Sequence, residues 1–128
     1  MVDYSRYQFI KVEKKDKVAT ITLNQPDKLN AISKDMHYEL EDIFVDVDRD
    51  DEINAVIITG AGRAFSAGGD IKNMINAFED SSLRTPMSRV KQLLLNLLAV
   101  RKPIVAAVNG HAIGVGATIA LHLSLIHI

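Results

Sequence analysis

An α/β layered fold is what this sequence predicts, and two observations carry the prediction. Ala55-Val56-Ile57-Ile58-Thr59 and Ile104-Val105-Ala106-Ala107-Val108 are short continuous apolar runs, the pattern of strands buried on both faces. Longer stretches with apolar residues at helical spacing alternate with them. The 128 residues suffice for one domain with a core and are too few for two.

Taken in order, Phe9, Ile10 and Val12 precede a polar run, Lys14 to Lys17, and Val18, Thr20, Ile21 and Leu23 follow it, which predicts a hairpin with a solvated turn. Asn24 to Lys28 reads as a loop on its turn chemistry. Ser33 is placed to cap a helix whose apolar stripe is Met36, Leu40, Ile43, Phe44 and Val47, with Glu39, Asp46 and Asp50 on other faces. After the first buried strand comes a glycine- and alanine-rich stretch, Gly60 to Gly69, then a short helix near Ile71 to Phe78. Thr85-Pro86 is a good start for a helix carrying Met87, Val90, Leu93, Leu94, Leu97 and Leu98. Pro103 ends that element before the second buried strand. Gly110 to Gly116 then leads into a helix from Ala117.

With 48% apolar and 24% charged residues, the composition is that of a globular protein rather than a disordered one. A net charge of −1 gives no electrostatic reason to expect nucleic acid or an anionic membrane as partner. The absence of cysteine removes disulfides and thiolate metal sites. Met1 to Arg6 lacks the basic-then-apolar layout of a secretory signal, and no apolar run approaches the roughly 20 residues of a membrane span, so a cytoplasmic protein is expected.

The chemistry is expected in two segments of the same design, each a buried strand, a small-residue loop and a helix start. The first runs through Ala64-Phe65-Ser66-Ala67-Gly68-Gly69-Asp70, the second through Gly110-His111-Ala112-Ile113-Gly114-Val115-Gly116. Missing side chains let a ligand approach the backbone, and two such loops facing each other can each offer an N–H to one oxygen. Tight turns and close packing explain single glycines equally well. A dinucleotide fingerprint fails because Phe65 and Ile119 stand where third glycines belong, and no Gly-Lys-Ser/Thr exists for a P-loop. Ala64-Phe65-Ser66-Ala67-Gly68 only partly matches a nucleophile elbow, leaving a serine hydrolase built on Ser66 as a distant alternative.

Three stretches together carry a family resemblance. Asn24 to Ile32 resembles the N-P-x-K/R-x-N-A loop of the enoyl-CoA hydratase/isomerase (crotonase) superfamily. Gly60 to Ile71 resembles its first oxyanion segment, and Lys102 to Gly116 its second, so the likeness extends from about Phe9 to His122. The resemblance implies a crotonase-like (ClpP/crotonase) spiral of ββα units, assembled as homotrimers or hexamers. It implies that the backbone N–H groups of Gly69 and Val115 form an oxyanion hole for a thioester enolate. It further implies that Lys28, Leu29, Ala31, Ala67, Gly68, Gly69, Asp70, Ile71, Gly114 and Val115 hold an acyl-CoA. The CoA arrives with the substrate, and no separate cofactor or metal is expected. The resemblance also implies that Lys28 and Lys72 lie near the CoA phosphates.

The sequence also departs from the family. Thr118 occupies the position of the first hydratase glutamate, and a hydroxyl is not a general base near neutral pH without an activating group. Isomerase-like chemistry, needing one carboxylate, is therefore favoured over hydration in a longer parent enzyme. For the chain as given, the alternative is a catalytically incomplete CoA-binding fragment. The fold is expected to break off after the second oxyanion helix, with residues 1–122 the first part of one domain and 123–128 a non-native tail. His37 is expected to be solvated and His111 non-catalytic, and Asp70 to cap the helix that follows it. His122 and His127 are five apart without a nearby carboxylate, which is no metal site.

Overall fold

The computed structural model describes residues 2–83, 87–122 and 125–127. Strands β1 (Ile10–Lys15) and β2 (Val18–Leu23) form the expected hairpin, with Lys15 opposite Val18. Its turn is tighter than the polar run suggested, because Lys14 and Lys15 belong to the strand. Only Asp16 and Lys17 turn, at φ of 51° and 66°. Two consecutive positive φ values match the twist that an antiparallel pair needs. Helix α1 (Lys34–Arg49) begins where Ser33 Oγ accepts the Met36 N–H at 3.2 Å, as its capping position predicts.

Each later strand enters parallel to the one before, so each needs a crossover. From β2, α1 leads to β3 (Ala55–Gly60), and α2 (Ile71–Glu79) and α3 (Met87–Leu98) lead to β4 (Ile104–Ala107). Helix α4 (Val115–Leu121) leads to β5 (Leu125–His127), which pairs with β4 and adds a strand to the predicted element order. The sheet order is β1-β2-β3-β4-β5, the order of the chain. The Thr85-Pro86 helix start, Leu123, Ser124 and Ile128 lie outside the described residues. No helix among the described residues is long and apolar enough to cross a membrane.

One core joins Ile21, Leu23, Val56 and Ile58 of the sheet to Leu40 and Phe44 of α1 and Leu93 and Leu97 of α3. Strand β3 corrects the expectation of burial on both faces: Val56 and Ile58 are fully buried, while Ala55, Ile57 and Thr59 are half-buried. Burial of α3 is likewise one-sided, with Leu98 61% exposed.

Polar residues of α1 depart furthest from the sequence reading. His37 is buried rather than solvated, its Nε2 3.0 Å from the Arg89 carbonyl oxygen and 3.4 Å from Glu41 Oε2. Glu41 is buried beside it, with Oε1 3.1 Å from the Arg89 guanidinium and, among the described residues, no hydrogen-bond donor on Oε2. Asp46 accepts from the Tyr7 hydroxyl and the Arg6 guanidinium, and Asp50 from the Tyr4 hydroxyl at 2.6 Å. Glu39 accepts the N–H groups of Gln8, Phe9 and Ile10. One helix thereby fastens the N-terminal segment to the domain. Burial, followed by the hydrogen bonds to Asp50 and Asp46, pushes the phenols of Tyr4 and Tyr7 well above their ordinary range.

Candidate functional site

The three stretches singled out in the sequence meet at one end of the sheet. The first glycine loop lies between the other two and bonds to both through its backbone. On one side, the Ala67 N–H donates to Leu29 O at 2.9 Å, Ile32 N–H to Gly68 O at 2.7 Å and Asp70 N–H to Ile32 O at 3.3 Å. On the other, the N–H groups of Phe65 and Ser66 donate to His111 O, and Ile113 N–H donates to Ser66 O at 3.0 Å. These bonds form two short parallel bridges, Ile32 with Gly69 and Ser66 with Ala112.

Side chains brace the same layer. Asn30, fully buried at φ 54°, accepts the Gln25 N–H and donates to the carbonyls of Ala61 and Ala64. Asn109 accepts the Gly60 N–H and donates to the carbonyls of Gly62 and Ala64. Both asparagines therefore hold the turn that launches the first loop from β3. Neither was singled out in the sequence, although each sits inside a stretch that was.

Two peptide planes are fixed by this layer. A trans peptide points its C=O and its N–H in opposite directions. Gly68 C=O faces the Ile32 N–H, so the N–H of Gly69 is directed away from Ile32. Gly114 C=O accepts the Thr118 N–H at 3.0 Å and the Thr118 hydroxyl at 3.1 Å, so the N–H of Val115 is directed back out of the start of α4. Neither N–H donates to a backbone or side-chain acceptor among the described residues. The loops also touch: a Cβ built on Gly114 would lie 3.7 Å from Gly68 Cα, and one on Gly116 would lie 2.7 Å from Ser66 Cβ. The paired glycines are what permit this approach.

Around this junction Lys28 is exposed at the end of a 3₁₀ turn, Pro26–Lys28, and Leu29 follows at φ 52°. Ala31, Ala67, Gly69, Asp70 and Val115 are half-buried, Gly68 is buried, and Gly114 is exposed. The Asp70 carbonyl accepts the Met74 N–H as α2 begins. Ile71, Met74, Ile75 and Phe78 form an exposed apolar stripe on α2, and Met74 Sδ would lie 3.2 Å from a Cβ on Gly69. Lys72 is exposed on the same helix. His111 is exposed and contributes its carbonyl to the bridge, while His122 ends α4 with Nδ1 2.8 Å from Thr118 O.

The serine-hydrolase alternative fails on the geometry of Ser66. Its hydroxyl is completely buried, donates to Asn30 O at 2.8 Å and accepts the Gly68 N–H at 3.2 Å. A nucleophile needs an accessible oxygen next to a base, and no histidine bonds this one among the described residues.

Comparison with known proteins agrees with the fold. The profile of the enoyl-CoA hydratase/isomerase family matches residues 13–126. The chain is 41% identical over 107 residues to the 1,2-epoxyphenylacetyl-CoA isomerase of Escherichia coli K12, which covers 81% of this chain and 41% of that protein. It is 39% identical over 113 residues to the short-chain-enoyl-CoA hydratase of Clostridium acetobutylicum, covering 86% of this chain and 42% of that one. The crystal structure of an enoyl-CoA hydratase/isomerase from Mycobacterium paratuberculosis superposes with a TM-score of 0.89 at 35% identity, over 96% of this chain and 50% of the other. The chain thus spans between two fifths and half the length of these relatives.

Proposed function

The chain belongs to the enoyl-CoA hydratase/isomerase family, and on that premise we propose that it binds an acyl-CoA thioester and stabilises its enolate through the N–H groups of Gly69 and Val115. One observation supports the reading above the others: two peptide planes, on loops in direct contact, each leave an outward N–H without a protein acceptor among the described residues. Donors held in place before charge develops lose nothing to reorganisation, and each is worth about 3 kcal/mol to the transition state. Polarising the thioester carbonyl acidifies the α-carbon and so makes proton transfer there accessible. The apolar stripe of α2, whose Met74 lies beside Gly69, suits an acyl chain better than a polar substrate. The Lys28–Ala31 loop and residues 67–71, bonded to each other, form the cradle for the CoA portion.

Within this reading, isomerase-like proton transfer is preferred to hydration. Thr118 commits its hydroxyl proton to Gly114 O, where a hydratase of this family would use a carboxylate. The same observation favours a second reading, a CoA-binding fragment that holds the thioester without turning it over. The parent enzyme is proposed to assemble as a homotrimer or hexamer.

Calorimetric titration with acetoacetyl-CoA, an enolisable ligand, tests the proposal. Binding that weakens at least tenfold when Gly69→Pro removes the donor, in a variant still folded by circular dichroism, is the expected result. Unchanged affinity in that variant would overturn the assignment of Gly69. Turnover assays with 2- and 3-enoyl-CoA substrates separate the isomerase, hydratase and fragment readings.

A further inference from the structure

Ser66 is the residue at which all three loops of the site converge, and its side chain has no role in the chemistry so far described. We infer that it is a positioning residue: its hydroxyl sets the direction of the Gly69 N–H and so tunes the affinity of the site for an enolate. This rests on the reading of Gly69 as an oxyanion donor.

The argument follows from the bonds of one oxygen. The Ser66 hydroxyl donates to Asn30 O at 2.8 Å, and its oxygen accepts the Gly68 N–H at 3.2 Å. Gly68 is then held at both ends, by Ser66 at its N–H and by Ile32 at its carbonyl. The second of these bonds lies in the peptide plane that carries the Gly69 N–H. With φ at +88°, Gly68 is in a region where glycine has many alternatives, so the plane beyond it is only as fixed as these contacts make it. The Ser66 backbone bonds to His111 and Ile113 of the second loop, and a Cβ on Gly116 would come within 2.7 Å of Ser66 Cβ. The loop of one donor is therefore located against the loop of the other through this residue. With its single proton committed to Asn30 and a lone pair held by Gly68, this buried hydroxyl is fixed in direction.

The test uses the full chain, with Ser66→Ala and the milder Ser66→Cys, which keeps a weak donor and acceptor. Amide hydrogen exchange reads the bond directly and needs no ligand. Exchange at Gly68, and at Ile32 whose N–H is held by the Gly68 carbonyl, should accelerate at least tenfold in Ser66→Ala and by less in Ser66→Cys, with little change at residues 36–47 of the first helix. Titrations read the consequence. Acetoacetyl-CoA, which places negative charge at the donors, should lose about tenfold in affinity, and the near-ultraviolet band of its bound enolate should weaken. Free CoA, which has no thioester carbonyl, should change less than twofold. Parallel losses for both ligands, or unchanged exchange at Gly68 and Ile32, would overturn the inference. If Ser66→Ala does not fold, Ser66→Cys carries both measurements. Should the unaltered chain bind CoA and acetoacetyl-CoA equally, the enolate reading falls. Accelerated exchange would then still support Ser66 as the residue that sets the loop.

Discussion

Replacing Gly68 with alanine puts a methyl group where the second glycine loop already stands. At φ +88° the added Cβ would lie 2.7 Å from the Ile113 carbonyl oxygen. That oxygen accepts the Gly116 N–H at 3.0 Å, so it does not swing aside without breaking another bond. Left-handed backbone costs an L residue about 1–2 kcal/mol. Forcing a methyl group into filled space adds about 1–3 kcal/mol. The sum, about 3 kcal/mol, corresponds to a fall in Tm of about 10 °C for a chain of this size. The neighbouring residue is the control. Gly69 has no positive φ, and its Cβ would meet only Met74 Sδ at 3.2 Å and Cε at 3.6 Å, the end of a flexible side chain. Gly69→Ala should therefore cost less than about 1 kcal/mol. Urea unfolding gives both values, followed by far-ultraviolet circular dichroism and tyrosine fluorescence, since the chain has three tyrosines and no tryptophan. Equal losses in the two variants, or a loss below about 1 kcal/mol for Gly68→Ala, would refute the claim that the two loops are in fixed contact.

Removing Arg89 (R89A) should destabilise the fold by about 2 kcal/mol, because it leaves the buried Glu41 carboxylate without its cation. The double variant Arg89→Ala/Glu41→Leu should recover most of that loss in the same urea assay. Glu39→Ala should cost about 1–3 kcal/mol by releasing the backbone N–H groups at the start of β1, and should raise hydrogen exchange at Gln8, Phe9 and Ile10. Acid should weaken the fold through Asp50. Burial alone would raise its pKa, but the Tyr4 hydroxyl, the Glu52 N–H and Lys14 outweigh it and hold the carboxyl below its ordinary value. A depressed folded pKa stabilises above the unfolded value of about 3.9 and is lost as pH falls through the folded one. Urea midpoints taken from pH 6 to pH 3 should therefore fall, and fall less steeply in Asp50→Asn.

Apart from β5, the main elements of this fold were legible because each announces itself locally. The apolar stripe from Met36 to Val47 and its serine cap need no distant information, and neither do the two continuous strands. The candidate site was legible as three stretches because they resemble family motifs in the same order; single glycines alone fit tight turns and close packing equally well. What local reading missed is pairing across distance. Asp46 lies 39 residues from Tyr7 and Glu41 lies 48 from Arg89, and a carboxylate on a helix reads as solvated until its partner is known. His37 was misread for the same reason, since its partner is a main-chain carbonyl in another helix. Ser66 was read as a nucleophile candidate because a pattern of neighbours says nothing about whether a hydroxyl is already bonded on both sides.

The strand order bears on how the chain is made. Among the described residues every strand pairs with the one synthesised just before it, so no gap inside the sheet has to stay open for a later one of these strands. Synthesis delivers about 5–20 residues per second, whereas helices and hairpins form in microseconds. Each new strand and its crossover therefore have ample time to dock before the next emerges. A permuted sheet of the same elements would expose unpaired backbone for that interval. Here the oldest edge is β1, whose Lys11, Glu13 and Lys15 present charge to any chain that approaches, and only the newest edge is ever waiting for a partner.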